Sequence, residues 1–112
     1  MGGYQAMSQF QQYSQAPTAI FFSGDQIAIG AYRFAHENKI RIPDDLSIIG
    51  FSGSPISMST YPPLTTVAQY ASEIGEKAAK IMIDLINNNV KQIDVILEPS
   101  ILERMSCAAP KK

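Results

Sequence analysis

The chain has 112 residues and a mass of 12.3 kDa, and a domain of that size buries roughly two thirds of the surface its unfolded form exposes. Apolar residues make up 46% and charged residues 17%, which excludes disorder, and a net charge of −1 excludes a nucleic-acid binder working through a basic surface. A single cysteine, Cys107, excludes an internal disulfide framework and a cysteine zinc site, and no apolar run approaches the roughly 20 residues that span a bilayer. In chain order, Tyr4, Ala6, Met7, Phe10 and Tyr13 recur at helical spacing and predict a helix over 3–14, stopped by Ala16-Pro17. Residues 18–23 (TAIFFS) read as a buried strand. Asp25 then stands where a helix N-cap belongs, and the pattern predicts a helix over 26–38 with Ile27, Ala28, Ala31, Tyr32, Phe34 and Ala35 inward. Pro43-Asp44-Asp45 is a turn, and 46–51 (LSIIGF) a second buried strand.

A loop rich in Ser, Pro and Gly fills 52–63, and 64–69 (LTTVAQ) is a third strand. Ile74, Ala78, Ile81, Met82, Leu85 and Ile86 form one apolar stripe of a helix over 72–87. Ile93, Val95 and Leu97 alternate as a fourth strand, and 101–105 forms a fifth. Strands alternating with helices at these spacings predict an α/β fold with a mostly parallel, doubly wound sheet. In such sheets ligands sit beyond the carboxyl ends of the strands. Here those ends are Ser23-Gly24-Asp25 and residues 51–55.

Chemistry-bearing constellations are missing from the sequence. The single His36, beside Glu37 on a helix, reads as a surface or satisfied histidine. No carboxylates cluster at ligand spacing, so no metal site is expected. Asp44 and Asp45 are turn residues. There is no G-x-S-x-G elbow, no G-x-G-x-x-G and no P-loop, so neither an enzyme nor a cofactor is expected. Residues 1–15 carry no basic n-region and no apolar h-region, which predicts a cytoplasmic chain.

Five segments in order carry a resemblance. They are Gly3-Tyr4-Gln5-Ala6-Met7, residues 17–33 (PTAIFFSGDQIAIGAYR), 40–51 (IRIPDDLSIIGF), 62–69 (PPLTTVAQ) and 101–106 (ILERMS). Together they resemble the lactose/galactose-repressor (LacI/GalR) family over almost the whole chain. The resemblance implies the C-terminal lobe of a periplasmic-binding-protein-like fold, incomplete, with residues 1–69 forming part of that lobe. It assigns the helix within 70–92 to the N-terminal lobe and 93–112 to closing crossover strands and a tail. It also implies an effector-sensing and dimerisation part of a bacterial transcriptional regulator, reaching operator DNA only through a headpiece outside this chain. A different reading is the C-terminal lobe of a periplasmic sugar-binding transport protein.

The resemblance implies an effector, sugar or nucleobase-like, at Tyr4, Gly24, Asp25 and Ser52, bound weakly with half the cleft missing. Tyr4 can equally be a core-facing helix residue. Ser52 stands where the family pattern has an effector-contacting Asp. A carboxylate accepts from two sugar hydroxyls, whereas Ser52 offers one hydroxyl, which argues against a conventional monosaccharide. The family also implies a homodimer about a two-fold axis through Ile29, Tyr32, Arg33, Met58 and Tyr61. Exchange of the 72–87 helix between copies would cover its stripe.

Overall fold

The computed structural model describes residues 2–89 and 94–111. The elements follow as α1 (Gly2–Phe10), β1 (Ala19–Phe21), α2 (Asp25–Glu37), β2 (Ser47–Ser52), a 3₁₀ turn (Pro55–Met58), β3 (Thr65–Ala68), α3 (Ala71–Ile86) and β4 (Ser100–Leu102). The sheet runs β1-β2-β3-β4. β1 and β3 both pair parallel with β2, and β4 closes antiparallel on β3. This is the expected α/β architecture with a mostly parallel sheet.

Apolar spacing explains the core. Ala28, Ala31, Phe34 and Ala35 line the inner face of α2, and Met7 comes up to meet them from α1. The two helices approach closely because each lacks a side chain at the crossing. A Cβ on Gly3 would overlap the carbonyl oxygen of Ile27, and one on Gly30 would stand 2.8 Å from the Tyr4 nitrogen. Phe22, Leu46, Ile48 and Leu64 complete the core from the sheet side.

Three expectations need correction. α1 ends at Phe10, not at residue 14: Gln12 and Tyr13 fold back in three-residue turns to Gln9 and Phe10. Tyr13 is mostly exposed and meets the Phe10 ring at 6.0 Å, so little burial rewards another helical turn. β1 is not buried on both faces but lies at the sheet edge. Ile20 joins the core, whereas Phe21 is 59% exposed and meets only Phe51 edge-on at 6.2 Å. Finally, residues 94–99 form no strand, and Ile93 lies outside the described residues. The free edge of β3 is taken by β4, so this segment has no ladder to join. Val95 and Leu97 instead border a groove along Ile74, Ala78 and Ile81 of α3.

Beyond β4 the chain is fastened beneath the sheet by Arg104 and Ser106. The fully buried Ser106 hydroxyl donates to the Ile48 carbonyl and accepts from the Thr65 amide at 2.8 Å, so one side chain bridges β2 and β3. The Ser106 carbonyl accepts the Ile48 amide at 2.9 Å. The Arg104 amide donates to Thr65 Oγ1 at 2.9 Å, and its Nη1 donates to the Leu64 carbonyl at 2.6 Å. α3, by contrast, buries none of its 16 residues, and the molecule measures 59 × 24 × 24 Å.

Candidate functional site

Residue 25 opens α2, but not as its cap: the N-cap is Gly24, in extended conformation with no side-chain cap bond. Asp25 is the first helical residue and is 1% exposed. Its carboxylate crosses the carboxyl end of the sheet instead of turning back on its own helix. Oδ2 accepts from Ser52 Oγ at 3.1 Å, the Ser54 amide at 2.8 Å and Ser54 Oγ at 3.0 Å. Oδ1 accepts from the buried Thr66 hydroxyl at 2.6 Å. Thr66 Oγ1 also receives the Gly53 amide at 3.3 Å.

Four donors nearly fill the acceptor sites of a carboxylate, and they satisfy a charge that would otherwise be expensive to bury. Among the described residues no cationic side chain pairs with Asp25. Two glycines make room. A Cβ on Gly50 would overlap Asp25 Oδ1, and Gly53, at φ +68°, would carry a Cβ 2.9 Å from the Ala68 Cα. Ser52 itself has φ +118°, in the region that favours glycine. Its register partner is Ala68, and its hydroxyl is held on Asp25. The strain sits at the rim of a cleft, where such strain is concentrated in proteins.

That cleft, about 670 Å³, opens between the carboxyl ends of β2 and β3 and the start of α3. Ser52, Gly53, Ser54, Gln69, Tyr70 and Glu73 line it, and Asp25 does not. Pro55, Ala68, Ala71 and Leu102 also line it, so its wall is mostly apolar with a few hydroxyls and amides, one carboxylate and no cation, which suits an uncharged ligand with an apolar face. Tyr70, at φ 52°, turns the chain into α3, and its hydroxyl is bonded to that of Ser100. Among the described residues no three His, Cys, Asp or Glu side chains could hold a metal ion, and no helix is long and apolar enough to cross a membrane.

Gly24, Asp25 and Ser52 are thus brought together, and Tyr4 is not. The Tyr4 ring packs edge-on against Phe34, with centroids 5.1 Å apart, and its hydroxyl donates to Glu37 Oε2 at 2.7 Å. Glu37 lies at the far end of α2, about 18 Å from Asp25 at 1.5 Å per residue. The carboxylate beside it raises the Tyr4 pKa. The Tyr4 hydroxyl and the Arg33 guanidinium, 2.9 Å away, in turn hold Glu37 below the usual range.

Of the residues expected at a two-fold interface, Met58 and Tyr61 are 62% and 95% exposed, and Arg33 is exposed beside the Tyr4 ring. Ile29 is half-buried. Tyr32 is half-buried too: its hydroxyl donates to the Pro62 carbonyl at 2.9 Å, and burial pushes its pKa up. Sequence reasoning missed Ser54, Ser57, Thr66 and Arg104. The adjacent G-F-S-G-S and T-T steps were the only signal, because their common partner, Asp25, lies up to 41 residues away.

Residues 1–107 match the family of periplasmic binding protein-like domains. The chain belongs to that family. This periplasmic binding protein-like domain is 37% identical over 107 residues to the HTH-type transcriptional repressor PurR of Erwinia tasmaniensis. The match covers 95% of the domain but 31% of the repressor, so the chain spans about a third of the curated relatives it matches. In structure it is similar to a LacI family transcriptional regulator from Enterococcus faecium with bound ribose, at TM-score 0.89 and 34% identity over 99% of this chain and 40% of that one. It is also similar to a dimeric Lac repressor with an 11-residue C-terminal deletion, at TM-score 0.91 and 28% identity, covering 97% of this chain and 40% of the repressor. The resemblance read from the five sequence segments is the one these relatives bear out.

Proposed function

We propose that this domain is the effector-sensing and dimerisation part of a bacterial transcriptional regulator. The observation that carries the reading is the cleft at the carboxyl ends of β2 and β3, walled by Ser52, Gly53 and Ser54, in a chain whose relatives are repressors. Ligands of parallel α/β sheets bind at this end. Two structural relatives have ribose bound, which favours a small, uncharged effector here, sugar or nucleobase-like, with Ser52 in place of a carboxylate weakening the grip on a monosaccharide. Ser52 lines the effector wall, and Gly24 precedes Asp25 at the neighbouring strand end. Asp25 lies behind it as a positioning residue, because its oxygens are already occupied by this chain's own donors.

Operator DNA is reached through a headpiece elsewhere in the parent protein, since this near-neutral domain has no source of phosphate neutralisation. Residues 1–69 supply the C-terminal lobe, the helix within 70–92 packs on the other lobe, and 93–112 return to the sheet. The bare face of α3 supports that division. Ile29, Tyr32, Arg33, Met58 and Tyr61 meet a second copy. The names of the relatives favour a cytoplasmic regulator over a transport protein.

Titration of the ¹⁵N-labelled domain with D-ribose tests the effector reading. Fast-exchange shifts confined to the amides of Gly24, Ser52, Gly53 and Ser54 are expected at millimolar sugar. Shifts scattered over α1 and α3, or none at saturating sugar, would overturn it.

A further inference from the structure

Two sets of hydrogen bonds between Arg104 and Asp25 meet at Ser54, in the loop that joins the cleft rim to the exposed Met58–Tyr61 surface. Arg104 Nη1 donates to Ser57 Oγ at 2.8 Å. Ser57 Oγ donates to the Ser54 carbonyl at 2.6 Å. The Ser54 amide and hydroxyl then donate to Asp25 Oδ2. A cation stands at one end and a buried carboxylate at the other, and the two sets are joined through the covalent frame of Ser54. The link is mechanical: Ser57 holds the Ser54 backbone, and that backbone holds Asp25. Ser57 is fully buried at the centre, in the 3₁₀ turn that also carries Met58. Its carbonyl accepts the Leu64 amide at 2.9 Å and the Thr60 hydroxyl at 3.2 Å, which extends the link towards Tyr61.

We infer that Arg104 is a positioning residue that makes the Ser52–Ser54 rim and the Met58–Tyr61 surface one mechanical piece. A shift at either end is delivered to the other through Ser57. Arg104 hydrogen-bonds neither to the Ser52–Ser54 rim nor to Met58 or Tyr61. Its guanidinium grips the middle of the loop, and its second bond, to the Leu64 carbonyl, anchors that grip to the start of β3. Only the meaning of the two ends, effector rim and dimer surface, rests on the function proposed above. The relay can be tested with neither ligand nor dimer.

Amide hydrogen exchange on the full chain decides it. Arg104→Gln should lower protection of the Ser54 amide by about tenfold or more relative to the Phe22 amide, which bonds to Ile49 in the β1–β2 ladder. Thr66→Val, which loosens Asp25 from the other side, should lower protection of the Ser57 amide in the same selective way. Arg104→Lys should restore Ser54, because a single nitrogen makes both bonds and an ammonium can replace it. If Arg104→Gln does not fold, Ser57→Ala breaks the chain at its middle and leaves Arg104 on Leu64. An equal fall at Phe22 and Ser54, an unchanged Ser54, or no rescue by lysine each overturn the inference. Absence of ribose binding or of dimers would sink the functional reading and leave the relay standing.

Discussion

Gly50 and Asp25 share one space. The carboxylate of Asp25 lies across β2 where a side chain on residue 50 would have to be, and the hydrogen at Gly50 lets it reach Thr66 and Ser54. Gly50→Ala must therefore either expel the carboxylate or displace β2. Overpacking and disruption of the buried network should cost about 2–3 kcal/mol in urea unfolding. Gly75→Ala is the contrast. Its added methyl meets nothing within 4 Å on an exposed helix, and should stabilise by about 0.5–1 kcal/mol.

Ser106→Ala should destabilise by about 1–3 kcal/mol in the same measurement, because the Thr65 amide loses its partner and the Ile48 carbonyl loses a donor in the interior. Ser100, exposed at the start of β4, should tolerate alanine within about 0.5 kcal/mol. Equal effects at the two serines would remove the distinction between a buried bridge and a surface hydroxyl.

Sedimentation should find the chain as a dimer of two 12.3 kDa copies at micromolar concentration. Met58→Glu or Tyr61→Ala should weaken association by at least about tenfold. Neither should move the urea midpoint measured on dilute protein, because both side chains are mostly exposed in the single copy. A monomer at every concentration up to millimolar would refute the interface.

Asp45 should contribute modestly to a loss of stability in acid. Hydrogen bonds from the Arg41 guanidinium, then from Lys111 and the Arg41 amide, hold its carboxyl far below the usual range. A depressed pKa means that the folded state favours the ionised form. Its contribution is complete above the ordinary carboxylate value and drains away as pH falls below that value towards the lower folded one. Urea midpoints followed downwards in pH should show a shallower loss in Asp45→Asn than in the parent.

Much of this fold was legible because its elements are local. The apolar runs of β2 and β3 and the inward spacing of α2 fix strand and helix without reference to the rest of the chain. The edge position of β1 was not legible, since TAIFF is equally apolar whether one face or both are covered. Asp25 was misread for a related reason. Aspartate before a helix is a natural cap, and only the fold brings Ser52, Ser54 and Thr66 close enough to claim the carboxylate. Gly24 and Ser52 were named from strand ends, a rule that needs no tertiary detail. The separation of Tyr4 from them follows from the direction in which α1 lies along α2, which no spacing encodes.

The Ser106 bridge also bears on the order in which the molecule is made. Ile48 leaves the ribosome 58 residues before the side chain that completes its hydrogen bonding, and Thr65 leaves 41 residues before it. At about 5–20 residues per second, that is a delay of about 3–12 s for β2. During it the nascent sheet holds an open seam at the amino ends of its two central strands. Closure of the seam therefore waits on residues made well after both strands.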